Sequence, residues 1–256
     1  MSILPLTSPA YPNHSTMASS PVSFSSRIPL IFRRIHRFQQ MDFEVALWQL
    51  SYLCLAPKRV YRNVYYHKQT KNTWARDDPA ILILLFGCLL VAALAWSMVY
   101  SYTFFDAVKL GIIMILRDFL LVGVVMASLM RLLANRVLLA PSSHSSPTDA
   151  SVEWAYVFDV HTNAFFPLFL TLYVAQLLLL PIILKEKWVC LLVGNSLYLV
   201  GFAQYIYGVY LGLSALPFLI RAEILLSPLL PLFAGYIVSL LGFNVASYVL
   251  RAYFLS

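Results

Sequence analysis

Five long apolar stretches follow one another along the second two thirds of the chain. They cover residues 80–102, 108–133, 161–184, 188–211 and 224–243, the last able to run on toward residue 250. A helix of about 20 residues, rising about 1.5 Å each, crosses a hydrocarbon core of about 30 Å. Each stretch is long enough, and the pattern predicts five transmembrane helices. Tyr100, Tyr102, Trp188, Tyr210 and Tyr248 stand near span ends, where amphipathic rings favour the interface. A shorter pattern precedes them. Residues 41–56 place Met41, Val45, Trp48, Tyr52 and Leu55 at helical spacing, with Asp42 as N-cap and Pro57 as stop. That helix is too short to span, and is expected in the interface or against the bundle.

Composition agrees with the pattern. Of 256 residues, 61% are hydrophobic and 11% charged. Soluble domains carry roughly 25% charged and about 45–50% apolar residues, so a water-soluble enzyme is excluded. Disorder of the bulk is excluded too, since it needs low hydrophobicity. The fold class is therefore all-α, a polytopic membrane protein with five transmembrane helices and a short interfacial amphipathic helix. Residues 1–31 read as a disordered Ser/Pro-rich tail, 32–79 as a cytosolic basic–aromatic juxtamembrane segment, and 80–250 as the bundle. No apolar core with a small-residue cleavage site marks a secretory signal in the tail. Met17 and Met41 are possible later starts.

The net charge of +7 is read as positive-inside bias. Ten Lys and Arg precede the first span, Arg131 and Arg136 follow the second, and Arg221 follows the fourth. Only Lys109, Lys185, Lys187 and Arg251 fall on the other side. The N-terminus is expected in the cytosol and, after five crossings, the C-terminus in the lumen. Cys54, Cys88 and Cys190 form no CxxC and no even-numbered framework, so neither a disulfide scaffold nor a zinc site is indicated.

Candidate chemistry is sparse. Arg117 and Asp118 are the charges deep in a span, where an unpaired charge costs at least a few kcal/mol. They mark either a substrate or proton site, or a polar link to Asn195, Ser196, Gln204 or Gln176 on another span. Neighbours on an α-helix point about 100° apart, so the two need not pair with each other. Glu153, Asp159, His161 and Asn163 lead into the third span and offer metal-ligand chemistry, without an HExxH to support it. The plainer reading is a helix start whose polar groups are tied to loop backbone. No GxSxG marks a hydrolase nucleophile. Gly208 and Gly212 form a GxxxG, which lets helices approach closely, within the bundle first and in a dimer second. The basic–aromatic segment 58–79 suits anionic lipid head groups, a docking partner protein, or RNA. In the RNA reading Tyr61, Tyr65, Tyr66 and Trp74 stack on bases.

Several long strings then carry a resemblance. They are Arg37-Phe38-Gln39-Gln40-Met41-Asp42-Phe43-Glu44, Pro57-Lys58-Arg59-Val60-Tyr61-Arg62-Asn63, and Trp74-Ala75-Arg76-Asp77-Asp78-Pro79. Further on come Val152-Glu153-Trp154, Phe158-Asp159-Val160-His161, Asn163-Ala164-Phe165, and the run from Tyr210 through Pro217 to Leu219. In this order they resemble the Unc-fifty-like family of Golgi membrane proteins, over about residues 32–250. The resemblance implies a five-span protein of Golgi and early secretory membranes with a cytosolic N-terminus. It implies recruitment of Sec7-type Arf guanine-nucleotide exchange factors and support for surface delivery of receptors, nicotinic acetylcholine receptors among them. Location in the endoplasmic reticulum or inner nuclear membrane, and RNA binding, are alternatives. No catalytic residue, metal or cofactor comes with it, and the expectation is a protein that is not an enzyme.

The expected partners are the lipid bilayer, an exchange factor, and receptor or cargo membrane proteins. Arg59, Arg62, Lys68, Lys71 and Trp74 are the expected partner surface, since Trp and Arg commonly anchor interfaces. Glu153, Asp159 and His161 lie on the same side under this topology, and either complete that surface or brace segment 58–79. A small-molecule or lipid carrier is the remaining alternative, with a polar, water-reaching cavity around Arg117 and Asp118.

Overall fold

A computed structural model of the chain describes residues 41–62, 74, 76, 78–139, 151–185 and 187–254. Among these the regular elements are helices, and five are long and apolar enough to cross a membrane. Helix α1 is Phe43–Leu55 and α2 is Pro57–Arg62. The spans are α3 (Ala80–Val99), α4 (Phe104–Leu138), α5 (Trp154–Leu178), α7 (Trp188–Ser214) and α8 (Ala222–Ser239). A short α6, Leu180–Ile183, joins α5 to α7, and α9, Val245–Phe254, follows α8.

Local chemistry sets several boundaries. Asp42 caps α1 by accepting from the Val45 amide at 3.0 Å. Asp78 links two helix starts, since its carboxylate accepts from the Ala80 and Asp42 amides, each at 3.0 Å. Helix α5 begins at Trp154, seven residues before the apolar stretch, so His161 lies inside the helix rather than at its start. Pro167 sits within α5 and supplies no backbone donor. Just beyond it, residues 170–175 adopt the wider π turn. Helix α4 carries two such π segments, Met114–Leu121 and Ala134–Leu138.

The apolar run that ends the chain does not continue as one span. Gly242, at φ +134°, turns the backbone after α8. Asn244 then accepts from the Ser247 amide and starts α9. Asn195 of α7 holds this corner with three bonds of 2.9 Å, donating to Ser239 Oγ and Phe243 O and accepting from the Val245 amide. Helix α9 buries Ala246, Leu250 and Phe254 against the bundle. Phe254 stacks on Trp96 and Tyr100, with ring centroids at 4.6 and 4.8 Å. Tyr102 donates to the Phe254 carbonyl.

Helices α5 and α7 form the centre. Gly208 and Gly212 lie against α5, where an added Cβ would stand 2.9 Å from Ala164 Cβ and 2.5 Å from Val160 Cγ1. The GxxxG therefore serves packing inside the bundle, which in a lipid solvent depends on close backbone approach. Helix α1 lies against the same core through Ala46, Leu50 and Leu53. Its other apolar side, with Val45, Trp48 and Leu55, is exposed. One side on the bundle and one apolar side outward is the arrangement an interfacial helix requires.

Candidate functional site

The end of the bundle that carries α1 and α2 is built as a platform. Val60 and Tyr61 are buried beneath α2, while Lys58, Arg59 and Arg62 are exposed on it. The Arg59 guanidinium lies 5.7 Å from the centre of the Tyr52 ring, a cation–π contact. Burial pushes the Tyr61 phenol above its ordinary range, against the lowering effects of Asn163 and Arg76 nearby. The Arg76 amide donates to Asp159 Oδ2 at 2.6 Å, and its guanidinium donates to Asn163 Oδ1 at 2.9 Å. The Gln49 amide of α1 reaches the same Asn163 oxygen at 3.4 Å. Helix α1 and the segment at Arg76 are thus both tied to one turn of α5.

Trp74 takes a different place from the one expected. It is 7% exposed and packs edge-on between Tyr156 and Phe218, with centroids at 6.2 and 5.9 Å. It anchors the segment from within instead of meeting a partner. The adjoining loops are also fastened. Asn135 accepts from the Val152 amide at 2.9 Å, and the Ile220 amide donates to Leu138 O at 2.8 Å. Lys68 and Lys71, with Tyr65 and Tyr66, lie outside the described residues.

Of the three acidic and imidazole candidates, Glu153 is half-buried, while Asp159 and His161 are buried. Asp159 accepts from the Arg76 backbone amide and so holds that segment against α5. His161 is turned inward: Nδ1 lies 2.8 Å from the Tyr205 hydroxyl and Nε2 lies 3.2 Å from Phe119 O. Gly123 makes room for its ring, since a Cβ there would stand 2.7 Å from His161 Cδ2. Neither Asp159 nor His161 completes an exposed surface, and among the described residues no three His, Cys, Asp or Glu side chains converge.

A second polar locus lies deeper. Arg117 Nε donates to Asp118 Oδ1 at 2.7 Å, so these neighbours pair after all. They stand on the π segment of α4, whose wider turn does not obey the 100° step of an α-helix. Tyr173 donates to Asp118 Oδ2 at 2.9 Å, and Tyr253 donates to the same oxygen. The Arg117 side chain is 54% exposed and its guanidinium lies over the Tyr253 ring at 4.7 Å. The expected links to Asn195, Ser196, Gln204 and Gln176 do not form. Asn195 holds the α8–α9 corner, Ser196 meets Tyr236, Gln204 meets Thr171, and Gln176 meets Tyr198. Two tyrosines were the partners that pattern reading missed. Tyr253 sits at a helical position facing inward beside Phe254, and that spacing was the available signal.

Asp118 also borders a cavity of about 730 Å³ between α4, α5, α7 and α9. Its walls are mainly apolar, unlike the polar, water-reaching cavity expected of a carrier.

These features define the chain as a multi-pass helical membrane protein with a braced basic end. The family model for the UNC-50 family matches residues 31–254, and the chain belongs to that family. It is 47% identical over 214 residues to the Homo sapiens protein named Protein unc-50 homolog, covering 83% of this chain and 81% of the relative. It is 41% identical over 239 residues to the Dictyostelium discoideum protein of the same name, covering 93% and 91%. The Protein GMH1 homolog of Schizosaccharomyces pombe is 40% identical over 222 residues, covering 86% and 94%. No solved structure matches the chain.

Proposed function

We propose that the protein is a Golgi-membrane trafficking scaffold. In this reading the platform faces the cytosol and recruits a Sec7-type Arf guanine-nucleotide exchange factor, and the bundle supports surface delivery of membrane receptors. The observation that carries it is the construction of α2: Val60 and Tyr61 are buried in the bundle while Lys58, Arg59 and Arg62 point outward. A basic helix fixed to a rigid base meets an acidic partner without first having to be ordered. Family membership supplies the expectation of traffic, and the excess of Lys and Arg on the platform side supports a cytosolic face. The protein-partner reading is preferred to RNA because two of the four aromatic rings that would stack on bases, Tyr61 and Trp74, are buried.

Proximity labelling from an N-terminal tag in intact cells tests the proposal. Wild type labels a Golgi exchange factor, and Arg59→Glu/Arg62→Glu loses that labelling at normal expression and Golgi location. Both arginines are exposed, so the double variant leaves the bundle folded. Equal labelling by the variant overturns the assignment of the surface. Absence of any exchange factor with wild type overturns the recruiting role.

A further inference from the structure

The 730 Å³ cavity is left unused by the platform reading, and its shape and polarity identify a ligand class. Protein interiors hold few voids larger than a water molecule, so a space of this size in a helix bundle is a place for something else to sit. Its wall on α4 runs from Asp118 to Leu133, about 22 Å at 1.5 Å per residue. Val122, Phe202 and Ile224 line it and are also 43%, 42% and 43% exposed, so the cavity opens sideways. All three belong to helices long and apolar enough to span a membrane, so the medium available at the opening is lipid.

Size narrows the class. At the roughly 30 Å³ that a water occupies in the liquid, the cavity has room for about two dozen heavy atoms. A two-chain phospholipid fits only by extending out of the side opening. Spread over about 22 Å, the volume gives a mean cross-section of about 33 Å². A single hydrocarbon chain, with walls at a contact distance of about 4 Å, fills roughly half of that. A fused-ring body fills it better.

Polarity fixes the head. The two carboxylate oxygens of Asp118 have about four acceptor positions, and Arg117, Tyr173 and Tyr253 take three. One position remains for a donor, and both tyrosine hydroxyl oxygens can still accept. A neutral hydroxyl satisfies donor and acceptor together. A phosphate head meets the carboxylate's negative charge, and Arg117 does not line the cavity.

We propose that this cavity is a sterol site, with the sterol hydroxyl at Asp118, Tyr173 and Tyr253 and the ring body lying along α4 toward Met130. The site does not rest on exchange-factor recruitment, and its test is separate. The purified full chain in nanodiscs is irradiated with a diazirine-bearing cholesterol, and the labelled residues are mapped by mass spectrometry. Labelling is expected within 118–133 and 249–254, reduced at least tenfold by excess cholesterol and unaffected by excess phosphatidylcholine. Met126→Trp, which fills the cavity, is expected to lose at least tenfold of this labelling with an unchanged elution profile. Val122→Phe serves the same purpose should the tryptophan variant fail to elute as folded protein. Labelling confined to outward faces, or undiminished in the filled variant, overturns the site. Competition by a long-chain alcohol as effective as that by cholesterol overturns the sterol assignment, and competition by phosphatidylcholine overturns the hydroxyl head.

Discussion

At Gly208 the absence of a side chain sets the distance between two helices. An added methyl would stand 3.1 Å from Ala164 Cα as well as 2.9 Å from its Cβ, so backbone must move. Overpacking of this kind costs about 1–3 kcal/mol, against about 1 kcal/mol gained when Ala replaces Gly in a helix. Gly208→Ala is therefore expected to lower the unfolding temperature in detergent by a few degrees. Gly235→Ala is the control, since nothing lies within 4 Å of its added methyl, and it is expected to hold or raise that temperature. A result in which both variants behave alike removes the packing role from Gly208. The GxxxG spacing was legible in the sequence, but its partner was not. Helical spacing reveals which residues share a face, whereas Ala164 is a neighbour only once α5 and α7 have crossed. Asp118 shows the same limit. A charge within a span calls for partners, and polar amides on other spans are the natural candidates. Tyrosines took the role because a ring can fill apolar space while its hydroxyl reaches the carboxylate.

Among the elements, α9 departs most from the hydropathy pattern, and its attachment is specific enough to test. Residues 224–250 read as one apolar run because composition does not distinguish a helix that crosses from one that turns back. The local signals were Gly242 and Asn244, a turn residue followed by an N-cap. What commits the chain to the turn is long-range: the three bonds of Asn195 and the stack of Phe254 on Trp96 and Tyr100. Phe254→Ala removes a ring that is 7% exposed, and such truncations cost about 3–5 kcal/mol. Release of α9 exposes the backbone near Gly242. Limited proteolysis is expected to cut there many times faster in Phe254→Ala than in wild type, with α3 to α7 left intact. Equal cleavage rates separate the stack from the hold on α9. In α1 the pattern is legible in part. Val45, Trp48 and Leu55 do form a stripe, but it faces outward, while Ala46, Leu50 and Leu53 meet the bundle. Both sides of that helix are apolar, so periodicity alone did not identify the packed one.

For the whole molecule, the distribution of charge predicts which end faces which compartment. The platform end carries the basic groups of α2 together with Arg131, Arg136 and Arg221, and the opposite end carries Lys109, Lys185, Lys187 and Arg251. Positive loops are retained on the cytosolic side during insertion, so the platform is expected in the cytosol. Substituted cysteines test this directly. The exposed Cys54 is first replaced by serine. Ser151→Cys then reports the loop before α5, and Lys185→Cys the loop between α5 and α7; both positions are exposed. In cells whose plasma membrane alone is opened, a membrane-impermeant maleimide is expected to label Ser151→Cys and to leave Lys185→Cys untouched. Detergent that opens the internal membranes is expected to expose Lys185→Cys as well. The opposite pattern places α2 in the lumen, where a cytosolic exchange factor cannot reach Arg59 and Arg62. The two positions lie at the two ends of one span, α5, so one crossing must separate them. The Arg76–Asp159 contact and the basic face of α2 lie at the Ser151 end of α5, so this labelling assigns both to one compartment.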